Sequence, residues 1–305
     1  MPIAAVNGIE ICYQEDGLHG NPAVLLLHGL GCQLVQWPGS LVAGLVAAGF
    51  NVVRMDNRDV GLSGKMDALG IVDMVALAMA MQRGQPPAPP YSLRQMADDA
   101  VALLDHLGKS HAHIVGVSMG GMIAQNIAIH HRHRVSSLTS IMSSSGAPNL
   151  PPPDPAAIAS ITAQPVSWER DAVIAQVRAG WDLIGGPHFK SSEVGMGRMT
   201  EEAFDRGRYP AGIMRQMAAI VADAGRADAL TRISTPTLVI HGDADRLVPL
   251  ACGEDTARRI PGARIEVMPG MGHDLPEPLL PGILQGMVRH LGAAGQTALR
   301  EADRM

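Results

Sequence analysis

The chain has 305 residues, of which 47% are hydrophobic and 17% are charged. These proportions indicate a large globular domain with a sizeable core and leave room for an inserted subdomain. The formal net charge is −5, and no run of the sequence is rich in lysine or arginine. The charge distribution therefore argues against a nucleic-acid-binding protein.

The apolar segments and the cysteines indicate the compartment. The N-terminal residues lack the cationic segment and apolar core of a secretory signal, and the longest apolar run, residues 74–81, is far too short to span a membrane. The three cysteines, Cys12, Cys32 and Cys252, are widely separated and show no metal-ligand spacing. We therefore expect a cytoplasmic protein with reduced thiols and without a metal site.

The first half of the chain alternates between predicted strands and predicted helices. An Asn7-Gly8 turn divides residues 3–14 into a β-hairpin, and the apolar run 23–27 is typical of a strand covered on both faces. This alternation favours a mainly parallel sheet with helices on both faces. The patterns then predict a helix over 34–48, a strand over 51–55, a helical segment over 66–91 that ends in a proline-rich linker, and a helix capped by Ser92 that ends at Gly108.

Residues 113–122 predict a strand, a tight turn and a buried helix that begins at Met119. Glycines two positions before and after Ser118 permit a strained backbone at the turn, which presents the serine hydroxyl beyond the strand ends. The helix directs its free N–H groups and its positive dipole end at the same point. A nucleophilic serine needs this environment, although such a turn also occurs in nucleotide-binding folds.

The alternation changes after a predicted strand over 138–142. Residues 143–155 are rich in serine and proline, and residues 156 to about 230 show helical patterns without a convincing strand. We interpret this region as a helical insertion over the sheet. The strand pattern then resumes at 237–240 and 264–268, with a helix near 252–260, a terminal helix over about 279–291 and a loosely held tail after residue 292.

Two late loops offer the partners that a nucleophilic serine requires. A serine hydroxyl attacks when a base removes its proton and a third group holds the base in one tautomer. His273 lies in a glycine-rich loop after one predicted strand, and Asp243 and Asp245 lie in the loop after another. These loops should meet the serine turn at the carboxyl edge of the sheet, where either aspartate could orient the histidine.

The order Ser, Asp, His, together with the G-x-S-x-G motif, resembles the α/β-hydrolase superfamily over essentially the whole chain. The resemblance implies an α/β-hydrolase fold with a mostly parallel, doubly wound sheet. It also implies that Ser118 is the nucleophile, His273 the base and Asp245 the acid, which leaves Asp243 as a loop-capping or surface residue. Asp274 is expected to face away and to cap the following turn.

Two further segments carry the resemblance. Residues 28–31, HGLG, match the oxyanion loop, which implies that the backbone N–H groups of Leu30 and Met119 are the oxyanion donors. Residues 56–63, DNRDVGLS, resemble the D-x-R-G-x-G-x-S loop, with Asp59 in place of the usual glycine. We expect this departure to affect loop shape more than chemistry.

Within the superfamily, the chain is similar to bacterial esterases related to aromatic-polyketide methylesterases, through residues 58–63 and 270–273. The resemblance implies a hydrolase core made of residues 1–144 and 231–305. Residues 145–230 would form a helical lid that selects the substrate.

We therefore expect a serine hydrolase that cleaves small apolar carboxylic esters through an acyl-enzyme intermediate, with no cofactor. A lactonase, a perhydrolase or an acyltransferase with the same triad is an alternative, and so is a low-turnover binding protein of the same fold. A dehalogenase or an epoxide hydrolase would carry an acid at position 118. The sequence leaves open whether the chain forms a homo-oligomer.

Other histidines and the methionines receive simpler interpretations. His28 is expected to brace its loop, and the run His130, His131 and His133 suits the exposed carbonyls at a helix end. The 18 methionines greatly outnumber each aromatic type, with three each of Trp, Tyr and Phe. Methionines of this kind either fill the core or line an adaptable apolar pocket. The candidates for the pocket are Met74, Met79, Met81, Met196, Met199, Met214 and Met217.

Overall fold

A single twisted sheet organises the computed structural model, which describes residues 1–85, 87–163, 167–189, 193–223 and 225–302. Its eight strands have the spatial order β1-β2-β4-β3-β5-β6-β7-β8. The β1–β2 and β2–β4 pairs are antiparallel, and β3 to β8 run parallel. The strands are β1 Ile3–Val6, β2 Ile9–Asp16, β3 Ala23–Leu27, β4 Asn51–Met55, β5 Ala112–Val117, β6 Val135–Ile141, β7 Thr237–Gly242 and β8 Arg264–Met268.

Helices cover both faces of this sheet, so the predicted fold class is confirmed. The described α-helices are α1 Gly39–Ala47, α2 Met74–Gln82, α3 Leu93–His106, α4 Met119–His130, α5 Pro155–Thr162, α6 Arg170–Ile184, α7 Glu193–Gly207, α8 Pro210–Val221, α9 Arg226–Ala229, α10 Leu250–Arg259 and α11 Leu280–Ala302. In the described part of the chain, no helix is both long enough and apolar enough to cross a membrane.

The two-residue period of the central strands produces two apolar layers. In β3, all five side chains are buried: Leu25 and Leu27 join the layer beneath α3 and α4, and Val24 and Leu26 join the layer beneath α1 and α11. Apolar side chains thus cover both faces of the sheet, and its carboxyl edge is left for polar loops.

Three helix predictions were wrong in extent. The helix over 34–48 is a 3₁₀ helix, Leu34–Gln36, followed by α1, because Pro38 forces an extended backbone on Trp37 (φ −70°, ψ 129°). In the 66–91 segment, Gly70 (φ 72°) separates a 3₁₀ turn from α2, and Pro86 of the predicted linker lies outside the described residues. The terminal helix α11 continues to Ala302, through alanine-rich sequence that favours helix.

Helices α5 to α9 lie between β6 and β7 in the chain, and the described residues of this region form no strand. Their division from the rest of the chain as a separate lid stays a prediction. Two ion pairs to buried aspartates connect them to the loop after β4: Arg206 Nη2 lies 3.0 Å from Asp56 Oδ2, and Arg215 Nε lies 2.8 Å from Asp59 Oδ2.

Asp59, which replaces a glycine of the D-x-R-G-x-G-x-S pattern that this loop resembles, adopts a left-handed backbone conformation (φ 68°). Its carboxylate is fully buried and accepts hydrogen bonds from Arg215 (2.8 and 2.9 Å), Tyr91 Oη (2.9 Å) and the Met66 N–H (2.8 Å). Burial acts to raise the pKa of Asp59, but these hydrogen bonds outweigh it and lower the pKa below its usual value.

Arg215→Met should lower the free energy of unfolding at neutral pH by about 3–5 kcal/mol, because the buried Asp59 carboxylate loses its cation. The pKa of Asp59 is lower in the folded than in the unfolded state. The ion pair therefore stabilises fully above the ordinary carboxyl pKa and less as the pH falls through the folded-state pKa. Urea unfolding should show the difference from wild type shrinking in acid. An equal difference at neutral and acidic pH would contradict this account.

Candidate active site

Ser118 lies at a sharp turn between β5 and α4, with φ 56° and ψ −121°. A Cβ at Gly116 would lie 2.1 Å from the Gly120 carbonyl oxygen, and a Cβ at Gly120 would lie 2.0 Å from the Leu27 carbonyl oxygen. Only glycine fits at either position. The two glycines therefore allow a strained turn that presents Ser118 at the carboxyl edge of the sheet.

The imidazole of His273 lies between Ser118 and Asp245. His273 Nε2 is 2.9 Å from Ser118 Oγ, and His273 Nδ1 is 2.7 Å from Asp245 Oδ2. An ionised carboxylate can only accept, so Nδ1 carries the proton and Nε2 is the acceptor for the serine hydroxyl. The loops after β5, β7 and β8 bring these three side chains together, as the sequence predicted they would.

The two candidate acids have different positions. Asp245 Oδ1 accepts hydrogen bonds from the N–H groups of Leu247 (2.9 Å) and Val248 (2.8 Å), which leaves Oδ2 directed at His273. Asp243 instead accepts from the Gly270 N–H at 2.6 Å. Asp243 thus fastens the loop that carries His273 to the loop after β7.

The surroundings of Asp245 favour its ionised form. Burial acts to raise its pKa, but the electrostatic interaction with His273 and the hydrogen bonds from His273 and the Val248 N–H outweigh burial and lower the pKa to about 2. His241 Nε2 donates to the Val248 carbonyl at 2.8 Å and lies 3.5 Å from Asp245 Oδ2. His241 comes four residues before Asp245 in the chain, but its role beside Asp245 was not predicted from the sequence.

The segment after β3 lies directly against the serine turn. A Cβ at Gly29 would lie 3.2 Å from Ser118 Cβ. In the described part of the chain, the backbone N–H groups of Leu30 and Met119 donate no hydrogen bond, as expected for Met119 in the first turn of α4. Unpaired N–H groups that face a reacting carbonyl can stabilise an oxyanion.

Two buried side chains hold this segment in place. His28 Nδ1 accepts from the Gly29 N–H at 2.8 Å, and burial lowers the pKa of His28 to about 4, so the ring is a neutral acceptor at neutral pH. Gln216 of α8 accepts from the Gly31 N–H at 2.9 Å and donates to the Arg58 carbonyl at 2.8 Å. No sequence motif identifies Gln216, because its partners are far away in the chain.

A cavity of about 460 Å³ opens onto Ser118 and His273. Its wall is mostly apolar and includes side chains from α5 to α8, such as Ile158, Val173, Trp181, Met199 and Met217. This size and character suit a drug-sized organic ligand.

The residues that line the cavity test several predictions made from the sequence. Asp274 is buried and lines the cavity, so the expectation that it faces away was wrong. Of the methionines in question, Met199 and Met217 line the cavity, whereas Met74, Met79 and Met214 do not. The side chains of Met81 and Met196 lie outside the described set.

The cysteines are buried free thiols. Cys32 and Cys252 also line the cavity. Burial raises the pKa of Cys32 to about 12 and that of Cys252 to about 11, so both stay protonated and weakly nucleophilic at neutral pH.

Comparisons with known proteins agree with this architecture. The model of the alpha/beta hydrolase fold family matches residues 22–277. Rhodomycin D methylesterase DnrP of Streptomyces peucetius is 30% identical over 311 positions, which cover 93% of this chain and 97% of the relative. Rhodomycin D methylesterase DauP of a Streptomyces species is 29% identical, with the same coverage.

Solved structures share the fold. The enol-lactonase from Burkholderia xenovorans superposes with a TM-score of 0.71 at 24% identity, covering 95% of this chain and all (100%) of its own. The meta-cleavage product hydrolase from Pseudomonas fluorescens has a TM-score of 0.72 at 18% identity, covering 96% of this chain and 98% of its own. The chain therefore belongs to the α/β-hydrolase family, as an esterase-type enzyme related to bacterial methylesterases.

Proposed function

We propose that this protein is a serine esterase that cleaves carboxylic esters through an acyl-enzyme intermediate on Ser118. The proposal rests on one observation, the hydrogen-bonded chain from Ser118 Oγ through His273 to Asp245, at 2.9 and 2.7 Å. The relatives named as methylesterases support an ester as the substrate.

In the first half-reaction, Ser118 Oγ attacks the ester carbonyl carbon while His273 Nε2 accepts the hydroxyl proton. Asp245 keeps the proton on Nδ1 and stabilises the imidazolium that forms. The tetrahedral intermediate then collapses, its bond to the leaving oxygen breaks, and His273 donates the proton to the departing alcohol.

The N–H groups of Leu30 and Met119 are the proposed donors to the negatively charged oxygen of this intermediate. Gln216 acts as a positioning residue, because its hydrogen bonds to Gly31 and Arg58 hold the segment that carries Leu30. The helix dipole of α4 adds to the stabilisation at the same point.

In the second half-reaction, a water molecule attacks the acyl carbonyl while His273 accepts its proton. The new tetrahedral intermediate expels Ser118 Oγ, which recovers its proton from His273, and the free acid leaves. The apolar wall contributed by α5 to α8 would select the substrate, in keeping with the proposed role of residues 145–230 as a lid.

The proposed function is tested with p-nitrophenyl esters of graded acyl length, methyl esters of bulky apolar acids and simple lactones. We expect sustained release of p-nitrophenol, far beyond one equivalent per protein. A burst of one equivalent without further turnover would contradict the esterase and favour a binding protein. Turnover restricted to the lactones would favour the lactonase alternative.

A further inference from the structure

The mostly apolar cavity contains buried polar atoms that the proposed mechanism does not use. Thr200 of α7 and Arg208, which follows the end of α7, both line it. Thr200 Oγ1 and Arg208 Nη1 are buried and have no hydrogen-bond partner in the described part of the chain. Buried polar atoms normally have hydrogen-bond partners, so unpartnered polar atoms in a cavity wall point to a ligand.

Arg208 differs from the neighbouring arginines in the partners of its positive charge. Arg170 pairs with Asp205 at 2.8 Å, Arg178 pairs with Glu201 at 2.7 Å, and Arg206 and Arg215 pair with the aspartates after β4. Among the described residues, no carboxylate pairs with Arg208. Its guanidinium carbon lies 5.9 Å from the ring centroid of the exposed Trp168.

A partly buried guanidinium without an anion is costly. Burial lowers the pKa of Arg208, yet a guanidinium keeps its proton at neutral pH, so the charge persists. In an apolar wall, a cation is stabilised strongly by a charge-assisted hydrogen bond to an anionic oxygen. The planar fork of the guanidinium matches a carboxylate in particular.

We infer that Arg208 and Thr200 form a subsite for an anionic oxygen group, of the carboxylate class, on the non-reacting part of the ester. This inference rests on the proposed esterase function, because Ser118 and His273 would hold the reacting carbonyl in the same cavity. Thr200 lies on α7 one turn before Phe204, which also lines the cavity, and Arg208 follows four residues later. In chain order, the polar residues Thr200 and Arg208 therefore flank the apolar Phe204 in the cavity wall.

Gln176 of α6 adds a further polar atom to the cavity wall. Its Oε1 is buried without a partner among the described residues, whereas its Nε2 donates to the Ala163 carbonyl at 3.3 Å. An amide oxygen only accepts, so it would pair with a hydroxyl of the substrate and not with the anion.

The test compares two series of p-nitrophenyl esters with equal chain lengths, one ending in a methyl group and one in a carboxylate. At one chain length, the wild-type protein should have a higher kcat/KM for the carboxylate ester than for the methyl-terminated ester. Arg208→Gln should lower kcat/KM for that ester by about tenfold to a hundredfold, the worth of one charge-assisted hydrogen bond, mainly through KM. The matched neutral ester should change by less than about threefold.

Arg198→Gln is the matched control, because it removes the same charge from an exposed position on α7, the helix that precedes Arg208. It should leave both series unchanged. Arg208→Lys should retain part of the preference for the carboxylate and replaces Arg208→Gln if that variant does not fold. Hydrolysis of the carboxylate-terminated ester would release a dicarboxylic acid. Calorimetric titration with this acid measures binding without turnover, and the binding should weaken in Arg208→Gln.

Three results would each overturn the subsite. Arg208→Gln could lower kcat/KM equally for both ester series, or Arg198→Gln could lower kcat/KM for the carboxylate ester as much as Arg208→Gln does. The third result is that Arg208→Gln binds the dicarboxylic acid as tightly as wild type. None of these results would affect the esterase proposal. Failure of wild type to turn over any ester would instead overturn the esterase, and the titration would still decide whether Arg208 binds a carboxylate.

Discussion

Ser118→Ala should lower kcat for p-nitrophenyl ester hydrolysis by about 10⁶, as expected when the nucleophile of a triad is removed. The variant loses Oγ, the hydroxyl oxygen that lies 2.9 Å from the imidazole of His273. The variant would still hydrolyse the ester faster than water alone does, through substrate binding and the oxyanion donors. Alanine keeps the Cβ at this turn, so the free energy of unfolding in urea should change little.

Ser110→Ala is the matched control, because Ser110 is an exposed serine outside the cavity. This variant should retain the wild-type kcat. The nucleophile assignment fails if Ser118→Ala keeps a kcat within about tenfold of wild type, once contamination is excluded by active-site titration.

Asp245→Asn should lower kcat by about 10⁴, whereas Asp243→Asn should lower it by less than about tenfold. An asparagine at position 245 presents an amide that permits the wrong tautomer of His273, so Nε2 no longer accepts the serine proton. The carboxylate of Asp243 accepts a hydrogen bond from the Gly270 N–H, in the loop that carries His273, and not from His273 itself. Steady-state kinetics of the two variants, which differ by two positions in one loop, provide the comparison.

Urea unfolding of both variants separates chemistry from folding. Asp245 also accepts hydrogen bonds from the N–H groups of Leu247 and Val248, and an asparagine oxygen can retain them. A loss of kcat in Asp243→Asn that equals the loss in Asp245→Asn would show that the acid was assigned wrongly.

The parts of the fold that local sequence determines were predictable. The apolar run 23–27 identified the central strand β3, and the glycines around Ser118 identified a turn where a Cβ at either position would collide with a carbonyl oxygen. The parallel order of the strands then placed Ser118, Asp245 and His273 at one edge. The choice between Asp243 and Asp245 required family resemblance, because both lie in one loop.

Contacts between distant segments were not predictable. Gln216 and Gly31 are 185 positions apart, and Asp59 and Arg215 are 156 apart. Nothing in the periodicity of α8 shows that two successive polar residues, Arg215 and Gln216, point into the protein. The cavity wall and the surroundings of Arg208 depend on the same long-range packing, so no local sequence pattern marks the proposed carboxylate subsite.

The central claim is that His273 makes Ser118 a covalent nucleophile. The most direct measurement is peptide mass spectrometry after reaction with a p-nitrophenyl alkylphosphonate, which mimics the tetrahedral intermediate. We predict one phosphonyl group per chain on the peptide that contains Ser118, with no label in Ser118→Ala and much slower labelling in His273→Ala. A label on another residue, or no label on a protein that still hydrolyses esters, would contradict the account.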